Sequence, residues 1–134
     1  MKIPKRFIKK GKFNLHSGQI SKIFYDVNKM LTDKKQFTKV LHKLNKLTFG
    51  IEFAVGIATG GAIIASNFRE WAMIKDGELK GNVYAPYILI DDVCTTENSL
   101  NNAIKIIGIQ PSKIFVVVDR RKKKTLKIIS LYQV

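Results

Sequence analysis

The sequence predicts an α/β protein: a central, mostly parallel sheet flanked by helices, with a small N-terminal hairpin segment. Three observations predict it. Residues 87–90 (Tyr-Ile-Leu-Ile) and 114–118 (Ile-Phe-Val-Val-Val) are short, continuously apolar runs, as strands buried on both faces are. Residues 51–57 and 87–90 each lead through a short glycine-bearing or polar stretch into the start of a helix. Residues 31–48 carry an amphipathic pattern that supplies a covering helix.

Length and composition set the frame. The 134 residues suit one domain with a single core, and the 46% hydrophobic content is enough to fill it. We expect residues 1–30 to form a basic arm and hairpin segment, and 31–134 the α/β core. No apolar run reaches the length of a membrane span. The basic N-terminus has no apolar stretch behind it, so no secretory signal is expected and a cytoplasmic setting is the default. A single cysteine, Cys94, excludes an internal disulfide framework and a cysteine zinc site. The formal net charge of +14 attracts polyanions whatever the fold. Nucleic acid, a phosphorylated metabolite and an acidic partner all fit it, and so does a lysine-rich coding bias.

Taken in order, residues 1–12 are a basic arm, Lys2, Lys5, Arg6, Lys9, Lys10 and Lys12 with Ile3, Phe7 and Ile8 between them. A short amphipathic helix and a flexible tail both fit; we expect it to dock through Phe7 and Ile8. Residues 13–27 read as two extended pieces turning at Gly18. Residues 31–48 read as a helix capped by Thr32 or Asp33, with Phe37, Val40, Leu41, Leu44 and Leu47 on one stripe and lysines elsewhere. Residues 51–57 are a strand, 58–61 a loop and 62–68 a helix. The Gly60-Gly61 turn at a helix N-terminus makes an anion cradle. Residues 71–75 are a third strand, and 75–81 lead at once towards the next.

The stretch from Tyr87 to Leu100 carries most of the chemistry. A strand ending at Ile90 leaves Asp91 and Asp92 at its carboxyl end, where open α/β sheets bind ligands. Thr95, Thr96, Asn98 and Ser99 wrap the entrance of a helix beginning near Leu100, whose N–H groups suit an anion. Each part alone fits a solvated turn or an ordinary cap. Together, acids beside an anion cradle suit a ligand with hydroxyls and a phosphate, such as a ribose 5-phosphate. Cys94 sits in an apolar slot and reads as a buried, inert thiol. After the strand at 114–118, residues 119–124 (Asp-Arg-Arg-Lys-Lys-Lys) read as a solvated charged loop. Residues 126–132 read as a last strand.

Residues 90–99 (Ile-Asp-Asp-Val-Cys-Thr-Thr-Glu-Asn-Ser) resemble the phosphoribosyl diphosphate signature of type I phosphoribosyltransferases. The chain departs at Glu97 and Asn98, where that family has small glycines. Phe13, Leu15, Ser17, Gly18, Ser21, Phe24, Tyr25 and Asp26 resemble the hood segment of orotate phosphoribosyltransferases, and Val118-Asp119-Arg120 resembles a further motif of that family. The resemblance implies a type I phosphoribosyltransferase fold with an N-terminal hood. It implies transfer of a phosphoribosyl group from phosphoribosyl diphosphate to orotate, with Mg²⁺ held mainly by ligand and water, in pyrimidine synthesis. It assigns Asp91, Asp92 and Lys75 to catalysis, and Thr95, Thr96, Glu97, Asn98 and Ser99 to the 5-phosphate. It assigns Ala58, Thr59, Gly60 and Gly61 to pyrophosphate, and His16, Phe24, Tyr25 and Arg120 to orotate. The family's mobile catalytic loop corresponds to 75–81, which is short here, with Lys80 as a remnant. A homodimer is implied. Two alternatives are a phosphoribosyl-binding regulator without turnover, which the short loop favours, and a nucleic-acid-binding domain, which the charge favours and the hood motif does not.

Overall fold

A computed structural model of the chain describes residues 2–15 and 18–134. A 3₁₀ turn at Lys5–Phe7 leads into β1 (Ile8–Asn14) and β2 (Ile20–Tyr25), then α1 (Val27–Leu31) and α2 (Lys34–Leu47). β3 (Phe53–Ile57), α3 (Gly60–Ala65), β4 (Glu70–Lys75) and β5 (Glu78–Lys80) follow. The chain continues with β6 (Tyr87–Cys94), α4 (Asn98–Ile107), β7 (Lys113–Asp119) and β8 (Ile129–Gln133).

Among the described residues, β1 and β2 form an antiparallel pair, and the other strands form a six-stranded sheet in the order β5-β4-β3-β6-β7-β8. All neighbours in that sheet are parallel except β4 and β5. The expected mostly parallel sheet flanked by helices is therefore present. Its apolar runs alternate between two cores, because successive strand side chains face opposite ways. Ala54, Ile88, Ile90 and Val117 pack with Met30, Val40, Leu44 and Ile64 from α1, α2 and α3. Val55, Tyr87, Leu89 and Val116 pack on the other face with Leu100 and Ala103 of α4. The chain leaves β3 for β4 on one side and β6 for β7 on the other. The crevice between the carboxyl ends of β3 and β6 is thus a topological switch point, the place such sheets hold ligands.

Several expected boundaries are corrected. The basic arm is neither a helix nor a tail: Ile3 and Phe7 are buried, and residues from Ile8 onward form β1. The expected docking through Phe7 and Ile8 holds, with Phe7 in the core and Ile8 packed against it. The helix expected over 31–48 is α2, begun at Lys34 by Asp33, which accepts from the Gln36 N–H, and a separate short α1, capped by Asp26 accepting from the Lys29 N–H, precedes it. The buried stripe of α2 includes a polar member, Gln36, whose Oε1 accepts a 2.6 Å hydrogen bond from the Tyr132 hydroxyl on β8. α3 begins at Gly60, so Gly60 and Gly61 are its first turn and not part of a loop. Residues 75–81 form the β4–β5 hairpin, whose turn residues Asp76 and Gly77 both have positive φ, at 51° and 76°. Two such residues suit a two-residue turn whose twist matches the strands.

Candidate functional site

The carboxyl ends of β3, β4, β6 and β7, with the β1–β2 hairpin above them, enclose a cleft of about 410 Å³. From the hairpin side come Leu15, Phe24, Tyr25 and Asp26; from the sheet side come Ala58, Thr59, Lys75, Asp91, Asp92, residues 95–99 and Arg120. Most of the residues singled out in the sequence therefore meet at one place. Gly60 and Gly61 do not line it: both are buried beneath it. His16 lies outside the described residues. Lys80, the expected remnant, also does not line it; its ammonium pairs with Glu78 at 2.7 Å on the hairpin edge.

The acidic pair sits differently from its sequence reading. β6 does not end at Ile90. Its pairing with β3 ends there, at Gly56–Ile90, while its pairing with β7 runs on to Cys94–Asp119. Asp91 and Asp92 thus lie within a strand that has lost one neighbour, and that open side faces the cleft. Asp91 is only 6% exposed, and its Oδ1 accepts from the Asp92 N–H at 2.8 Å. Burial, and then the charge of Asp92, push the Asp91 carboxyl well above the usual carboxylate range. Asp92 is half-buried, and its Oδ1 accepts from the Val93 N–H at 2.7 Å. The pair thus joins a carboxyl held towards its neutral form to a more open one.

Two close approaches seat α3 on β3 and β6 beneath the cleft. A Cβ on Gly61 would lie 2.3 Å from the Ile90 carbonyl oxygen, and one on Gly56 would lie 2.2 Å from the Gly61 oxygen. α3 therefore rests directly on both strand backbones, which sets the Ala58-Thr59 segment beside Asp92. The glycine pair identified as a cradle serves first to allow this contact.

Residues 95–99 wrap the N-terminus of α4. Its first-turn N–H groups have no intrahelical acceptor, and Glu97, at the cap position, makes no side-chain capping bond. The Asn98 N–H has only a 3.4 Å contact with the Thr96 hydroxyl. An uncapped helix start opening on a cleft favours an anion. The Glu97 carboxylate, which would repel one, turns away. Its Oε2 accepts from Arg121 at 2.6 Å and from the Thr125 and Leu126 N–H groups at 2.8 and 3.0 Å. Although burial alone would raise its pKa, these bonds hold it below the usual range.

Here the expectation of a solvated 119–124 loop is corrected. Asp119 and Arg121 are buried, and Arg121 donates from Nε and NH2 to the two Asp119 oxygens at 2.9 and 2.7 Å. Sequence reasoning missed Arg121, because a residue in a run of five cations gives no sign that one of them turns inward. The adjacent Arg120 faces the other way. Its guanidinium donates to the Ile23 carbonyl at 3.1 Å and the Ser21 hydroxyl at 2.8 Å, and stacks 4.9 Å from the Tyr25 ring centre. Arg120 thus ties the hairpin to the end of β7 and borders the cleft with Tyr25. Phe24 packs on Phe13 with ring centres 5.4 Å apart. Cys94 is buried, and burial pushes its thiol up to about 12, in keeping with an inert role.

Among the described residues no three His, Cys, Asp or Glu side chains cluster as a metal cage. The cleft nonetheless offers carboxylate oxygens at Asp91 and Asp92, donors of the hard type that suit Mg²⁺ bound chiefly through ligand and water. No helix among the described residues is long and apolar enough to cross a membrane.

Comparison with known proteins agrees with this fold. No family model matches the chain. The orotate phosphoribosyltransferase of Sulfurisphaera tokodaii is 32% identical in an alignment covering 92% of this chain and 77% of that relative. The orotate phosphoribosyltransferase of Methanosphaera stadtmanae is 31% identical over 86% of this chain and 76% of that relative. The crystal structure of orotate phosphoribosyltransferase from Aeropyrum pernix superposes with a TM-score of 0.76 at 21% identity, covering 96% of this chain and 89% of that one. Adenine phosphoribosyltransferase from Rhodothermus marinus shares the fold at a TM-score of 0.70 and 13% identity, covering 97% of this chain and 96% of that one. With such identity over more than two thirds of its relatives' length, this type I fold is that of a phosphoribosyltransferase, and the chain belongs to the orotate phosphoribosyltransferase family.

Proposed function

We propose that the protein transfers the phosphoribosyl group of phosphoribosyl diphosphate to orotate, releasing pyrophosphate and forming orotidine monophosphate, a step of pyrimidine synthesis. The observation that carries this reading is convergence. The anion-binding start of α4, the acidic pair, the Ala58-Thr59 segment, Lys75 and the Tyr25–Arg120 stack all border one cleft at the switch point of the sheet.

Charge placement gives the residues their roles. Departure of pyrophosphate leaves positive character on the ribose ring. Asp91 and Asp92 hold the ribose hydroxyls, and the more open Asp92 places negative charge beside the ring. The backbone N–H groups of 95–99 hold the 5-phosphate, with Glu97 contributing through its backbone alone. Ala58 and Thr59 receive the pyrophosphate, with Gly60 and Gly61 shaping the turn beneath, and Lys75 supplies a cation at its edge. Phe24, Tyr25 and Arg120 position orotate; a guanidinium suits an anionic planar base. Asp91 and Asp92 are the residues that would hold the shell of Mg²⁺, which would supply compensating positive charge to the leaving group. Positioning and preorganised electrostatics carry the reaction, with no covalent nucleophile. A homodimer working in the cytoplasm is part of the proposal.

The test is pyrophosphate release. Wild-type protein with Mg²⁺, phosphoribosyl diphosphate and orotate should release it, and adenine should not replace orotate. Asp92→Asn should lose most of the rate. Equal output from wild type and Asp92→Asn would reject the assigned site. Binding of phosphoribosyl diphosphate without release would favour the regulatory alternative, which the short β4–β5 hairpin supports.

A further inference from the structure

The departure at Glu97 has a structural occupation. Glu97 lies where the 5-phosphate turn enters α4, yet its carboxylate serves a different segment. Oε2 receives Arg121, Thr125 and Leu126, all at 3.0 Å or less. Arg121 is held in turn by both oxygens of Asp119 through its side chain, by Asp119 Oδ1 through its own N–H at 3.0 Å, and donates to the Leu126 carbonyl at 2.8 Å. The side chains of Arg121 and Asp119 are each 3% exposed and that of Glu97 is 11% exposed. The three charges therefore form a buried network in which each hydrogen bond is charge-assisted. Arg120 immediately precedes Arg121, and its N–H is fixed to the Cys94 carbonyl at 2.9 Å. Its backbone is held by β6 and its successor by Glu97, and its guanidinium reaches Ser21, Ile23 and the Tyr25 ring.

We propose that Glu97 is a positioning residue that joins the phosphate turn to the base side of the cleft, through Arg121 to Arg120, so that both ligand halves meet one rigid unit. A glycine at position 97 could form the turn but could not make this link. The inference rests on the function proposed above and adds to it a coupling between the two halves of the site.

The experiment compares wild type with Glu97→Gly and Glu97→Gln. Glycine removes all three bonds; glutamine keeps an acceptor oxygen for the two backbone N–H groups and removes the charge opposite Arg121. Steady-state kinetics should show the KM for orotate rising about tenfold in Glu97→Gly, the scale of one lost charge-assisted hydrogen bond, with a smaller rise in the KM for phosphoribosyl diphosphate. Glu97→Gln should fall between. A purely structural role would lower thermal stability without changing the ratio of the two KM values. Amide hydrogen exchange supplies a readout apart from turnover. D-ribose 5-phosphate should slow exchange in wild type at 95–99 and also at Thr125 and Leu126, and in Glu97→Gly at 95–99 alone. Should Glu97→Gly not fold, Glu97→Gln decides by the same measures. Turnover in wild type with protection confined to 95–99, or an unchanged KM ratio in both variants, would overturn the coupling and leave the proposed reaction standing. A wild type with neither turnover nor protection at 95–99 would reject the reaction and the coupling with it.

Discussion

Gly61→Ala isolates the contact on which the cleft floor depends. In the first turn of a helix, alanine in place of glycine ordinarily stabilises by about 0.5–1 kcal/mol through backbone entropy. Here the added Cβ would stand 2.3 Å from the Ile90 carbonyl oxygen and 3.1 Å from the Asp91 Cα. Ordinary carbon–oxygen contact is about 3.3 Å, so the two must part by roughly 1 Å. Both meeting groups are backbone, on a helix and a strand that each pack in the core, so no side-chain rotation relieves the clash. Overpacking of this kind costs about 1–3 kcal/mol, and a backbone clash belongs at the upper end, leaving a net loss of about 2 kcal/mol after the entropic gain. An unfolding entropy of about 2.1 cal/mol/K per residue over the 134 residues gives about 0.28 kcal/mol/K, hence a Tm lower by about 7 °C.

The same shift carries the Ala58-Thr59 segment away from Asp92, and a misplacement of about 1 Å can cost about a hundredfold in rate. Gly60→Ala is the matched comparison. Its Cβ would meet the Asp92 Cβ at 2.8 Å, a smaller overlap, and the Asn28 Oδ1 at 2.9 Å, the end of a side chain that can turn away. It should therefore disturb Asp92 and lower the rate with less change in Tm. Differential scanning calorimetry with pyrophosphate-release kinetics checks both. A Gly61→Ala protein as stable as wild type, or more so, would refute the argument that α3 rests on the β6 backbone.

The remaining predictions concern buried charge and the thiol. Asp91→Asn should raise stability at pH 7 while lowering turnover. Because the folded-state pKa of Asp91 is raised above 3.8, its contribution to stability is greatest below that value and is lost as pH rises through the folded pKa. The variant's advantage in urea melts should therefore vanish in acid and appear towards neutral pH; a fixed advantage at all pH values would refute the linkage. Arg121→Met strands Asp119 and Glu97 in the interior and should cost about 3 kcal/mol in urea unfolding at pH 7. Both carboxyls are held below their ordinary values of 3.8 and 4.5, so the stability that Arg121 lends them is present above those values and lost as pH falls through the lower folded ones. The cost of the variant should shrink in that range. Cys94, buried and with its thiol pushed to about 12, should react with a thiol reagent at neutral pH only as the protein unfolds. Prompt reaction of the native protein would contradict its placement.

The legible part of the fold was the part built from period and composition. The continuous apolar runs at 87–90 and 114–118 mark strands covered on both faces, and Asp33 is a sufficient start signal for α2. The order of Asp91-Asp92, Thr95-Thr96 and Ser99 led to the cleft because chemistry and chain order coincide there. What was not legible depends on partners distant in sequence. β6 reads past Ile90 into two acids, but β7 continues to pair with it and so the strand persists to Cys94. Gly60 and Gly61 read as a ligand cradle, since glycine permits close approach to anything, and only the fold reveals that the approaching group is Ile90. Arg121 reads as one cation among five, and only Asp119 and Glu97, brought to it by the sheet and the α4 turn, turn it inward. The single-domain reading of residues 1–134 remains our proposal.

Net charge and local charge separate the enzyme from its nucleic-acid alternative. The chain carries a formal charge of +14, yet among the described residues the cleft is lined by Asp26, Asp76, Asp91, Asp92 and Glu97 against Lys75 and Arg120. Asp26 is paired with Lys9 at 3.0 Å and Glu97 with Arg121, so the acids left to meet a ligand are those at the hairpin turn and the β6 end. A surface that binds nucleic acid gains its affinity from cations set against phosphates. This cleft instead offers the uncapped N–H groups at the start of α4 and places carboxylates at its centre. That arrangement suits a ligand whose phosphates lie at its ends and whose middle becomes positive as a bond breaks. The excess lysines lie elsewhere: α2 carries five and no acidic residue, on the side of the sheet opposite α4. Surface charge and cleft chemistry are thus separable features of the molecule. The net charge neither supplies the proposed phosphoribosyl site nor argues against it.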